Sequence, residues 1–148
     1  MESVITNDES ARTEVTTESE IMNAGLWIVA GVLAVAFAVG GASQILLSKA
    51  RYRALSASQH WVDDFSPAHI KAIGAIKLIG AAGLVLPALF HVAPILVPLA
   101  ATGLMLFMAG AATTRFRRSE WGLMLGDVVF ICAFAFVAWG RFELHPFN

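Results

Sequence analysis

Between Ala24 and Leu47 the chain carries no charged residue. At a helical rise of about 1.5 Å per residue this run is about 36 Å long, enough to cross a ~30 Å hydrocarbon core with some tilt. Few structures are open to such a stretch, because in lipid every backbone N–H and C=O must be satisfied inside the protein; the run reads as a membrane helix. Three more apolar runs follow, over residues 72–90, 93–112 and 121–140. The whole chain agrees with them, being 57% hydrophobic and 14% charged, against about 45–50% and about 25% in soluble domains. The expected fold is all-α: a bundle of four transmembrane helices over residues 21–148, preceded by an acidic tail over residues 1–20.

The tail holds Glu2, Asp8, Glu9, Glu14, Glu18 and Glu20 against Arg12, so a chain of net charge −1 stands at +4 beyond residue 20. Rich in Thr, Ser and Glu, it buries too little apolar surface to offset the entropy of ordering, and disorder is expected there. It also lacks the basic n-region of a signal peptide, and the apolar run behind it is too long for an h-region, so the first span is expected to stay in place. Cys132 is the single cysteine, which excludes disulfide frameworks and thiolate clusters. Nothing in the charge balance points to nucleic acid as a partner; the expected surroundings are the lipid bilayer and either a membrane-protein partner or a second copy of the chain.

Local signals set the helix ends. Ser66-Pro67 offers an N-cap and a first-turn proline for the second span. Pro98 predicts a kink in the third, and Ser119 is a candidate cap for the fourth. Four spans place the long loop 48–71 and the short loop after residue 112 on one side. That side holds Lys49, Arg51, Arg53, Lys71, Arg115, Arg117 and Arg118, against Arg12 and Arg141 on the other. Positive charge marks the cytoplasmic face, so both termini are expected outside. Within the long loop, Tyr52, Leu55, Val62 and Phe65, with Trp61 beside them, fit either a segment lying in the headgroup layer or a plain solvated loop.

Two ionisable residues interrupt the apolar runs, Lys77 in the second and Asp127 in the fourth. Each costs about 2.5 to 3.5 kcal/mol at mid-membrane on insertion scales. Counted from the basic side both lie roughly 8 to 10 Å deep, and Gln44 on the first span completes a polar layer in one leaflet. Facing one another, the two charges form an ion pair with Gln44 filling a remaining hydrogen-bond position; alternatively the three form a functional polar pocket, or Lys77 snorkels to the interface. Ala30, Ala34, Ala38 and Ala42 recur every four residues and line a small-residue groove for a close helix approach, while Gly74, Gly80 and Gly83 read as packing notches. His60, His69, His91 and His145 lie in loops or at span edges, so no histidine pair faces across the bundle for haem. No spacing suggests a metal site or a catalytic nucleophile.

The stretches KAIGAIKLIGAAGLVLP (71–87), PLAATGLMLFMAGAATTRFRRSEWG (98–122) and FVAWGRF (136–142) resemble, in this order, the DoxX-like family of small four-span bacterial membrane proteins. The resemblance covers roughly residues 26–142. It implies a four-helix bundle in the bacterial inner (plasma) membrane and, through the member that gives the family its name, association with quinone-linked sulfur oxidation. Related members often carry Glu at the position of Lys77 and His at that of Arg115, and Asp127 stands where an amide or neutral residue is more frequent.

Three functions are open at this point. The first is a non-catalytic accessory subunit or assembly factor that docks membrane helices through the alanine groove and soluble partners through the basic loops. The second is a quinone-binding component of an oxidoreductase complex, with the quinone or a similar lipid beside Lys77, Asp127 and Gln44 and electrons supplied by another subunit. The third, a small proton-coupled transporter, needs an ionisable group near the midplane, from which Asp127 is displaced.

Overall fold

A computed structural model describes residues 2–147, with side chains from Arg12 onward. Its elements are α1 (Glu2–Leu46), α2 (Lys49–Ala54), a 3₁₀ helix (Ala57–Asp64), α3 (Pro67–Leu89), α4 (Leu96–Arg117), α5 (Trp121–Trp139) and a π-helical turn (Gly140–Leu144). No strand occurs among the described residues. Four helices are long and apolar enough to cross a membrane. Residues 12–20 continue α1 as an exposed extension; the first eleven side chains of the expected acidic tail lie outside the described residues.

The four long helices form an up-and-down bundle. α1 packs on α3, α3 on α4, α4 on α5, and α5 closes on α1. Their shared interior is built from Leu33, Phe37, Leu84, Leu104, Phe134 and Val137, with the Phe37 and Phe134 rings edge to face at 5.0 Å. The opposite face of α1 carries Ile28, Val32, Val35 and Val39, each more than 60% exposed. An apolar face of that extent is unstable in water and at home in lipid. The chain is a multi-pass membrane protein.

Helix ends follow the local signals in some places and not in others. Ser66 caps α3, its hydroxyl accepting from the His69 N–H at 3.3 Å, as the Ser-Pro pair predicts. Pro98 lies in the first turn of α4 rather than in its interior. Its missing N–H has no intrahelical carbonyl to serve there, so it does not kink the span. Ser119 does not cap α5. It sits at a left-handed φ of 58°, and the cap position falls to Glu120, whose carboxylate is turned to Arg118 at 2.8 Å.

The long loop between α1 and α3 is not a plain loop but a folded segment with an exposed outer side. Tyr52 and Val62 are buried with Ile70 in a second small core, against Leu47, Trp61 and Phe65, while Leu55 stays exposed. Polar ties hold this cap in place: Lys49 Nζ donates to the Phe65 carbonyl at 2.8 Å, Arg53 Nε to Asp63 at 2.9 Å, and Arg118 from the far side of the bundle to Asp64. The Arg53 guanidinium holds the Asp63 carboxyl below the usual carboxylate range. The loop thus closes one end of the bundle as a fixed roof.

Candidate functional site

Beneath this roof lies a cavity of about 420 Å³, within the usual size range of small-molecule sites. Tyr52, Gln59, Trp61 and Phe65 cover it; α3 contributes Ile73 and Lys77, α4 a wall from Leu106 to Arg115, and α5 Asp127. Its shape follows from small residues: Gly110 and Ala111 on α4 leave room where larger side chains would close the space. Most of the lining is apolar and aromatic, and the charged groups converge at one wall.

Asp127 is 5% exposed, and its partner is Arg115, whose Nε lies 2.7 Å from Oδ2. The direct Lys77–Asp127 ion pair expected from depth is therefore not formed. Arg115 takes that place because α4 runs on through Arg117; the residue assigned to a basic loop stands in the last turn of a helix and points inward. The contact is an ion pair at short range, and Nη1 of Arg115 is buried without a hydrogen-bond partner among the described residues. Glu120 approaches the same guanidinium at 3.6 Å.

Lys77 reaches the same cavity but makes neither ion pair nor hydrogen bond there. Its ammonium stands 5.6 Å from the centre of the Phe37 ring and 6.0 Å from that of Phe107, stabilised by their π faces. Gln44 does not join it. The Gln44 amide, 1% exposed, donates to the Tyr52 hydroxyl at 3.0 Å and so positions a roof residue from outside the cavity. The wall thus presents an ammonium without an ion-pair partner and a guanidinium nitrogen without a hydrogen bond to an apolar, ring-lined space, beside a carboxylate already paired with Arg115.

The other residues singled out from sequence lie elsewhere. Ala30 is in the bundle core, Ala34 and Ala38 pack against it, and Ala42 is half-buried, so the alanine face takes part in packing the chain's own helices. Arg51 and Arg117 are exposed, whereas Lys49, Arg53 and Arg118 hold the roof. The roles of Tyr52, Trp61, Asp63, Asp64 and Glu120 were not read from the sequence. For Arg115 a signal existed: no Gly or Pro separates Ala112 from Arg117, so nothing ends the helix where the apolar run does.

The model of the DoxX-like family matches residues 28–138, about three-quarters of the chain. The chain belongs to the DoxX-like family. No curated protein and no solved structure matches it. The family match contains every residue that lines the cavity of this DoxX-like protein, whereas Arg141 and the C-terminal turn fall outside it.

Tyr52 is the single tyrosine, which makes the roof open to direct titration. Burial pushes its phenol up, and the bond from Gln44 and the charge of Arg115 pull it back by less. A folded-state value above the unfolded one means that stability is fully present below pH about 10 and declines as pH rises through the folded value. The phenolate absorbance of the folded protein is expected to appear above pH about 10 and to shift down to about 10 in denaturant. A midpoint at or below 10 in the folded protein contradicts a buried Tyr52.

Proposed function

We infer that this DoxX-like protein is the quinone-binding membrane component of an oxidoreductase complex. The observation that carries the reading is the cavity wall, where Lys77, Arg115 and Asp127 offer two cationic donors and one acceptor, with Nη1 of Arg115 buried and without a hydrogen-bond partner among the described residues. A planar, lipid-soluble molecule with polar oxygens suits this arrangement: its ring packs among Trp61, Phe65 and Phe107, and its oxygens take hydrogen bonds from the Lys77 ammonium and the Arg115 guanidinium. A bound quinone supplies two-electron, two-proton chemistry. The chain's own part is to orient the ring, to exclude bulk water with the loop roof, and to hold a proton at Asp127 for transfer. Electrons come from a partner subunit in this reading. For an accessory factor, Ala30, Ala34 and Ala38 are engaged in the protein's own core, which leaves the basic loops as the surface for a partner.

Mass spectrometry of an organic extract from the purified full chain tests it. A quinone is expected to co-purify, with its amount falling about tenfold in Lys77→Met, the loss of one charge-assisted hydrogen bond. Lys77 makes no hydrogen bond or ion pair among the described residues, so this variant is expected to fold. An extract holding phospholipid alone, unchanged when a short-chain quinone is supplied, sinks the reading.

The roof and the cavity are further proposed to face the cytoplasm, on the charge asymmetry of the loops. With Cys132→Ala as background, an impermeant maleimide added to intact cells is expected to label a cysteine at Glu18 and to miss one at Ala57. Labelling of position 57 but not 18 reverses the topology.

A further inference from the structure

The opposite end of the bundle contains a second, larger cavity, of about 600 Å³, whose centre is a cation that no described Asp or Glu neutralises. Arg141 is 4% exposed, though it lies near the end of the last span and could reach water if it turned outward. Its direction is set by the chain. Gly140 is pressed against Leu26 of α1 so tightly that an added Cβ would stand 2.3 Å from a Leu26 methyl, and the helix opens there into a π turn closed by the His145 N–H donating to the Gly140 carbonyl at 2.8 Å. That turn aims Arg141 inward, between the rings of Trp27 and Phe147, whose centres lie 5.4 Å and 4.2 Å from its guanidinium carbon.

The polar contacts of Arg141 are all to neutral acceptors. Nη1 donates to Asn23 Oδ1 at 2.7 Å and to the His145 carbonyl at 3.4 Å, and Nη2 is buried with no partner among the described residues. No described Asp or Glu pairs with it; Glu143, in the same turn, is exposed. A buried cation of this kind gains from an anion that offsets its desolvation, and a guanidinium edge in a cavity whose wall also includes His91 and His145 suits an oxyanion.

The depth of the site identifies the anion. Asn23 and Trp27 stand where the apolar run of α1 begins, His91 is in the turn joining α3 to α4, and Arg141 lies just beyond α5. By length and composition all mark the end of the hydrocarbon core, beyond which the headgroup layer with its phosphates begins. We propose that this cavity is a phosphate site, in which Arg141, oriented by Asn23 and the π turn, holds the phosphate of an anionic phospholipid headgroup. It stands apart from the quinone reading, since the two cavities occupy opposite ends of the bundle and share no lining residue.

Native mass spectrometry of the full chain in a mild detergent decides it. The probes are phosphatidylglycerol, a sugar-headed lipid with the same acyl chains and no phosphate, and inorganic phosphate. One phosphatidylglycerol per chain is expected to be retained and the sugar lipid lost. Arg141→Gln is expected to lower phosphatidylglycerol occupancy about tenfold and Arg141→Lys to restore part of it, because a point charge keeps the attraction without the bidentate edge. Retention unaffected by excess inorganic phosphate supports the lipid source. Displacement by inorganic phosphate keeps the phosphate site and overturns the lipid as its occupant. Equal retention of both lipids by the wild-type protein overturns the whole proposal, a comparison that stands even if Arg141→Gln does not fold.

Discussion

Asp127→Asn is expected to be the most damaging single change among the charged residues of the roofed cavity, costing about 3 to 5 kcal/mol, the range for stranding one member of a buried ion pair. The reason lies in the count of charges at the wall. Among the described residues Asp127 is the one acid lining the cavity with Arg115 and Lys77, so its neutralisation leaves two cations in a low-dielectric space, with Glu120 the described acid nearest to them, 3.6 Å from Arg115. Arg115→Met is milder, because Lys77 remains to balance Asp127 across the cavity. The double Arg115→Met/Asp127→Asn removes both members and is expected to recover most of the loss, since apolar or neutral replacements of a buried pair are often tolerated. Unfolding of the four proteins in one detergent gives the coupling directly. Losses that simply add show that the 2.7 Å approach contributes nothing to stability.

Depth counting along apolar runs located Lys77 and Asp127 at one level, and the structure places both on one cavity. Counting could not name the partner of Asp127, because a run of hydropathy ends where lipid ends and a helix ends where its backbone is broken. α4 outlives its apolar run by a turn and more, and that extra turn brings Arg115 over Asp127. The same confusion of span with helix assigned a kink to Pro98, which the true start at Leu96 makes harmless. Long-range closure was also beyond the sequence. Asp64 and Arg118 are far apart in the chain and meet only because two loops share one end of the bundle. Arg141 was counted as a charge on the outer side; nothing in its spacing shows that Gly140 packs on Leu26 and turns it inward.

Gly74, Gly80 and Gly83, read from the sequence as packing notches, do face neighbouring helices at close range, and Gly74 gives the second large expectation. Gly41 and Gly74 form the crossing of α1 and α3: a Cβ on either would stand 2.7 Å from the other's carbonyl oxygen, and one on Gly74 would also meet Gln44 and Ile45 side chains at 3.0 Å. A helical carbonyl cannot swing aside, so the helices themselves must separate. Gly74→Val is therefore expected to cost about 3 kcal/mol, the upper part of the range for overpacking, whereas Gly103→Ala, with open space around it, is expected to be neutral or to stabilise α4 by up to about 1 kcal/mol. The damage should travel. Gln44 lies against Gly74 and holds the Tyr52 hydroxyl, so displacing α1 loosens the roof and lets water reach the phenol. The Tyr52 titration midpoint in Gly74→Val should then fall back toward about 10, a readout that a general loss of stability leaves unmoved in the protein that is still folded. Gly74→Val melting together with Gly103→Ala, its phenol still titrating as in the wild type, rules out this crossing as the contact that fixes the roof.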